Sequence, residues 1–231
     1  MPTLSPTATD GATTLPMEMT SPDPVRAVTE EQQDAFLADS GMNGSFLAGF
    51  LSMTLTHERC GVHLARSLAE RTKNPILKAR YTAFGEKGLK HVEVLERAVT
   101  DLGGDPNYVA PIARAVEGSD DLMLLSTFKL NGSIDVMTQE AVMLDAFLLA
   151  STRSHENWST LQDIVDKLPG GANHDTLGRA VSSCEDDKDE QLAWAKDMRK
   201  KMIEAQSSSK STAAVGSKVE EAVAKVKNWF S

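Results

Sequence analysis

Aromatic residues are scarce: seven Phe, three Trp and two Tyr make up 5% of the 231 residues. Ala, Leu, Met, Glu, Lys and Asp are plentiful instead, a composition that favours helices over a β-sandwich. Cysteine is scarcer still. Cys60 and Cys184 are the only two, too few for a disulfide scaffold, and neither lies in a CxxC pair. Reduced thiols in a cytoplasmic protein are the expectation. No apolar run is long enough to span a bilayer. The first residues lack a basic segment followed by an apolar one, so no secretory signal is expected. Positive charge is in deficit, with 24 Lys and Arg against 33 Asp and Glu and a net charge of −9. That excludes a domain-wide surface for nucleic acid. Also missing are a Gly-rich phosphate loop, a nucleophile elbow and a catalytic triad arrangement.

What remains is 41% hydrophobic, enough for a sizeable core. Residues 1–42 are rich in Pro, Thr, Ser and acids and bury too little to offset ordering entropy, so a disordered tail is expected. Asn43, Gly44 and Ser45 supply a helix start, and the first long helix runs to about Thr72. After Lys73-Asn74, Pro75 suits the first turn of a second helix, which Gly103-Gly104-Asp105-Pro106 stops. So short a turn predicts antiparallel neighbours. Residues 105–132 form a long crossover with a short helix over Asp120–Leu130. A third helix runs from about Ser133, through a bend, to Leu168, and a fourth from Asp175 to Ala205. The spacing thus predicts an all-α protein, with an antiparallel four-helix bundle over residues 43–206 and a long crossover between its second and third helices. A Ser-rich linker follows at 207–217. Residues 218–231 place Val219, Val223, Val226 and Phe230 on one helical face, with Trp229 beside it.

Each long helix interrupts its apolar stripe. The first reads Leu47, Leu51, Leu55, Glu58, Val62, Ala65, Ala69, and the second carries Gly88 and His91 between Phe84 and Leu95. The third has Glu140 between Met137 and Leu144. The fourth has Lys188 and Gln191 between Cys184 and Ala195. An acid in a core stripe is costly unless a cation or donors face it. Aligning the stripes by their centres puts these residues in one polar layer, where each needs a partner.

With these residues the chain resembles bacterial ferritin-like proteins of the di-iron carboxylate type. THERCGVHLARSLAERTKNPILKARY, GGDPNYVAP and DEQLAWAKDMRKKM carry the resemblance, which covers about residues 43–204. It implies a four-helix bundle whose metals are held by a Glu on one helix and Glu-x-x-His on the next, repeated in the second pair. Residues at i and i+3 share a helix face, and carboxylate with imidazole suits iron or manganese. Carried over, the metal-ligand positions are Glu58, His91, Glu140 and Gln191. The pattern is degenerate. Gly88 stands where the second helix needs Glu, and Lys188 and Gln191 replace the Glu and His of the fourth.

Three centres stay open on this basis. One has no metal, with the Lys188 ammonium between Glu58 and Glu140. Another holds a single iron or manganese ion on the retained ligands. The third is a di-metal centre that recruits Glu86, Glu93, Glu185 or Glu190. His57, Glu58 and His63 do not make a zinc-protease helix, because the histidines are six apart and diverge. His63 is expected at the surface, His155 and His174 at helix ends, and the run Asp186, Asp187, Asp189, Glu190 on a solvated face. Trp158 and Trp194 are expected as core anchors, and Cys184 as a small buried thiol.

The functional expectation is a binding or scaffold protein with an incomplete metal centre. It docks onto a protein partner or scaffold through residues 218–231. Fold-back of this segment on the chain's own bundle is an alternative of equal standing, and a membrane surface a weaker one. The rival is a metal-dependent oxidase or ferroxidase in iron or oxidative-stress handling. Fold does not fix assembly, so homo-oligomers stay open.

Overall fold

The structure, a computed structural model, describes residues 36, 41–129 and 135–207. Among them are six helices: α1 (Gly44–Arg71), α2 (Pro75–Asp101), α3 (Pro111–Phe128), α4 (Val136–Val165), α5 (Ala172–Ser182) and α6 (Glu185–Ser207). Among the described residues none is long and apolar enough to cross a membrane. The all-α expectation holds.

Side-chain caps explain three of the starts. Asn43 accepts from Phe46 N ahead of α1, Asn74 from Ile76 N and Leu77 N ahead of α2, and Asp135 from Met137 N and Thr138 N ahead of α4. Each satisfies amides that a helix start leaves unpaired. Pro75 and Pro111 occupy first-turn positions, where no amide hydrogen is needed. Gly103, at φ 84°, turns the chain out of α2.

Contacts fix the directions. Ala65 faces Gly85 and Arg59 pairs with Glu96, so α1 and α2 are antiparallel. Asp145 meets Arg199 and Ser151 meets Gln191, so α4 and α6 are antiparallel as well. Thr72 reaches Glu140 while Glu58 reaches Ser154 and Trp158, which sets α4 antiparallel to α1. Hence α2 and α4 run the same way. The joining helix α3 lies along α1, with Tyr108 at Ser52, Asp120 at His57 and Thr127 at Arg71. The crossover is therefore an 18-residue helix, longer than the one expected over Asp120–Leu130.

Two other expectations are corrected, while the third helix runs over 30 residues, Val136–Val165. The fourth is two helices, because Cys184 N bonds Val181 O in a tight turn and Ser183 Oγ bonds Ala180 O. A new helix then starts on Glu185, Asp186 and Asp187, acids that favour the positive end of the helix dipole. Phe36, placed in the expected tail over 1–42, is buried, and its ring lies where a Cβ on Gly104 would meet it at 3.0 Å. The rest of that tail, the linker beyond Ser207 and residues 218–231 lie outside the described residues.

The core is divided. One apolar cluster gathers Leu68, Leu77, Phe84, Leu144, Phe147 and Trp194. The other gathers Leu51, Leu55, Leu95, Trp158, Leu177 and Cys184. The helices α1, α2 and α4 cross from one cluster to the other, and Glu58 and His91 sit at the crossing.

Candidate functional site: an ion pair between two apolar clusters

Glu58 lies between Leu55 of one cluster and Leu64 of the other. Its Oε2 accepts from Lys188 Nζ at 2.6 Å, and both side chains are 4% exposed. Its Oε1 accepts from Trp158 Nε1 at 2.9 Å and from Ser154 Oγ. Two neutral donors and one ammonium thus serve the two carboxylate oxygens. Burial by itself would raise the Glu58 pKa, but the Lys188 charge and neighbouring donors outweigh it and hold the carboxyl well below its ordinary range. The pair is buried.

His91 closes the layer from α2. Its Nδ1 stands 3.8 Å from Glu58 Oε2 and has no hydrogen-bond partner, while Nε2 lies 3.3 Å from Asp187. Asp187 also meets Lys87 Nζ at 2.6 Å, and Glu190 bridges Lys87 and Arg80. The acidic run expected on a solvated face is therefore partly an ion-pair network that clamps α6 to α2. Gln191 donates to Ser151 Oγ at 3.0 Å and lines the same small cavity as Glu58 and Lys188. That cavity measures about 20 Å³, room for one water.

Glu140 is not in this layer. It sits at the far end of α1, where Thr72 Oγ1 lies 2.7 Å from both its oxygens and Lys73 N donates at 2.7 Å. Fourteen residues separate it from Ser154 on α4, about 21 Å along the helix. Glu140 lies in the first turns of α4 (Val136–Val165), whereas the layer is crossed further along the same helix, at Ser151–Trp158. Burial raises the Glu140 pKa against the lowering effect of those hydrogen bonds.

Gly88 takes up its position for a packing reason. A Cβ there would lie 3.0 Å from Val62 Cγ2, so α1 and α2 approach closely where a ligand-bearing Glu would need space. The other candidate acids offer no substitute. Glu86, Glu93 and Glu185 are exposed, and Glu190 is engaged with Arg80 and Lys87. Among the described residues no group of three or more His, Cys, Asp or Glu side chains is placed to hold a metal ion. The residues present do not fit a carboxylate-bridged pair of metals: an ammonium occupies Glu58, and Gly88 and Lys188 contribute no ligand.

Beside the layer lies a second network that the sequence did not suggest. His57 is buried, with Nδ1 2.7 Å from Asp120 Oδ2 and Nε2 3.0 Å from the Ala150 carbonyl. Both ring nitrogens thus lie within hydrogen-bond distance of an oxygen. Arg153 holds the other Asp120 oxygen at 2.9 Å. One imidazole thereby ties α1, α3 and α4 together. Next to it, Asp121 has two buried oxygens without hydrogen bonds, and burial followed by the Asp120 charge pushes its pKa up to about 6. Burial, and after it the charges of Asp120 and Asp121, push the Cys60 thiol far up, which disfavours its thiolate. Cys184 is buried as expected, with its pKa raised by burial to about 11. His63 is exposed, His174 is bonded to Asp175 at a helix start, and His155, mid-helix, meets Asp189 at 3.1 Å. Trp194 anchors an aromatic cluster with Tyr81, Phe84 and Phe147.

Compared with protein-family models, with curated proteins and with solved structures, the chain matches none.

Proposed function

We propose that this protein is a ferritin-like four-helix bundle whose centre is an ion pair in place of a metal. In this reading it works as a binding or scaffold protein, docking to a protein partner through residues 218–231. The helix directions support the bundle: α1 with α2 and α4 with α6 are antiparallel pairs, and α3 carries the chain between two helices that run the same way. The single observation that carries the functional reading is the Lys188–Glu58 contact of 2.6 Å at 4% exposure. It fills the place where the resemblance implies a metal with a side chain that repels cations. A centre built this way holds four helices in register but has no open position for a reacting oxygen molecule. The protein's work then falls to its surface and its ends.

The rival, an iron- or manganese-dependent oxidase, keeps one observation in its favour. His91 Nδ1 is buried, unpartnered and turned toward Glu58 at 3.8 Å. It needs Lys188 to leave, and Glu140 is not at hand to replace it.

Dioxygen consumption on adding iron(II) separates the two. The scaffold reading predicts the same rate with the wild type as with buffer alone. Capture from cell extract by the full chain, against a Val223→Asp/Phe230→Asp variant, tests docking. A specific partner lost in the variant supports it. Iron-dependent oxygen uptake that disappears in His91→Ala would replace it with the oxidase.

A further inference from the structure

A groove of about 550 Å³ runs between α3, α4 and α6, away from the ionic centre. Its walls include Leu122, Met123, Val142, Leu149, Met202 and Ile203. Three of these are large apolar side chains open to solvent: Leu122 at 61%, Leu149 at 56% and Ile203 at 43%. So much apolar surface gathered in one concave strip marks a place that something covers.

We propose that the occupant is the chain's own C-terminal segment, residues 218–231. Three features point to it. The first is length. Along α4 the groove extends from Thr138 to Leu149, eleven residues or about 17 Å of helix. The apolar face Val219, Val223, Val226 and Phe230 also spans eleven residues, and as a helix it covers the same ~17 Å. The second is reach. Ile203 is one turn from Ser207, the end of α6. The twelve residues from Ser207 to Val219 extend to at most ~40 Å, and a Ser-rich chain of that length averages ~20 Å end to end. Either end of the groove is therefore accessible to Val219. The third is chemistry. Asp145 and Arg199, 2.5 Å apart, form the charged spot of the groove. The segment carries both signs beside its apolar face, at Glu220, Glu221, Lys225 and Lys227.

The tether sets the local concentration of the segment in the millimolar range, so a weak contact keeps the groove filled. It also keeps the seat releasable. This goes beyond the docking reading: the face that would meet a partner is stowed in the free protein, and a partner must compete for it. Stowing does not require that reading to hold, because failure to capture a partner would leave the intramolecular contact in place.

Photocrosslinking in the full chain tests it. Benzoylphenylalanine is placed at Leu149, in the groove, or at Ile112, which is 49% exposed but outside it. After irradiation at low concentration and tryptic digestion, the label at position 149 is expected on a peptide from residues 219–231 of the same chain. The label at position 112 should give none. Val223→Asp/Phe230→Asp should cut the yield at least about tenfold while leaving the helical circular dichroism unchanged. Attachment to any other segment, or products formed only between two chains, would overturn the proposal. Equal yield in the double variant would overturn it too.

Discussion

Lys188 Nζ reaches Glu58 Oε2 at 2.6 Å from the opposite side of the fold, 130 residues later in the chain. Both groups lost their water to make this contact. Such a pair stabilises little relative to apolar residues of the same shape, yet removing one member strands the other. Glu58→Ala and Lys188→Met should each destabilise the protein by about 3–5 kcal/mol. The double replacement Glu58→Leu/Lys188→Met should recover most of that loss. Urea denaturation of the four proteins measures it, and additive single effects would mean that the pair is not coupled.

The pH dependence follows from the same carboxylate. Glu58 has its folded pKa depressed by Lys188 against the effect of burial, so the unfolded chain binds the proton more readily. Its contribution is therefore present above the unfolded pKa of about 4.3 and is lost as pH falls through the lower folded value. Melting temperatures of wild type and Glu58→Gln should converge as the pH is lowered below about 4.3 and separate above it.

Asp121 acts in the opposite sense. Its folded pKa, about 6, lies above the unfolded one, so ionisation costs stability as pH rises between the two. Asp121→Asn should be nearly neutral at pH 4 and more stable than wild type at pH 7.5, by on the order of 1–3 kcal/mol. Thermal melts across that range check the sign, and a variant that is less stable at pH 7.5 would refute it.

Gly88 offers a packing test. Gly→Ala inside a helix gains about 1 kcal/mol of propensity. Here the new methyl would meet Val62 Cγ2 at 3.0 Å, and overpacking of a tight contact costs 1–3 kcal/mol, about as much. Gly88→Ala should therefore be close to neutral or destabilising in the wild type. Relative to Val62→Ala alone it should be stabilising by about 1 kcal/mol. Equal effects in both backgrounds would mean that the two helices are not in contact there.

The sequence announced the helices well, because their caps and breakers are local: Asn43, Asn74 and Gly103 act within one turn. The stripe also announced Glu58, His91 and Lys188, since a polar residue at a core-facing position stands out from its periodicity. Register between helices was less legible. It depends on where long partners overlap, and Glu140 occupies the same phase of its stripe as Ser151 while lying three turns away. Ser154 and Trp158, which donate to Glu58, carry no signal of their own, because Ser and Trp are ordinary in a core helix. His57 looked like half of a failed zinc motif. Its acceptors, Asp120 on α3 and the carbonyl of Ala150, become visible only once the crossover lies along α1.

In the proposed bundle the Lys188 ammonium takes the place of a metal. Metal content after anaerobic reconstitution with iron(II) or manganese(II), determined by elemental analysis, tests it most directly. Stoichiometric retention is not expected in the wild type, and the melting temperature should be unchanged by either ion. One or two ions per chain, lost in both Glu58→Ala and His91→Ala, would mean that a metal and not the ammonium occupies the centre.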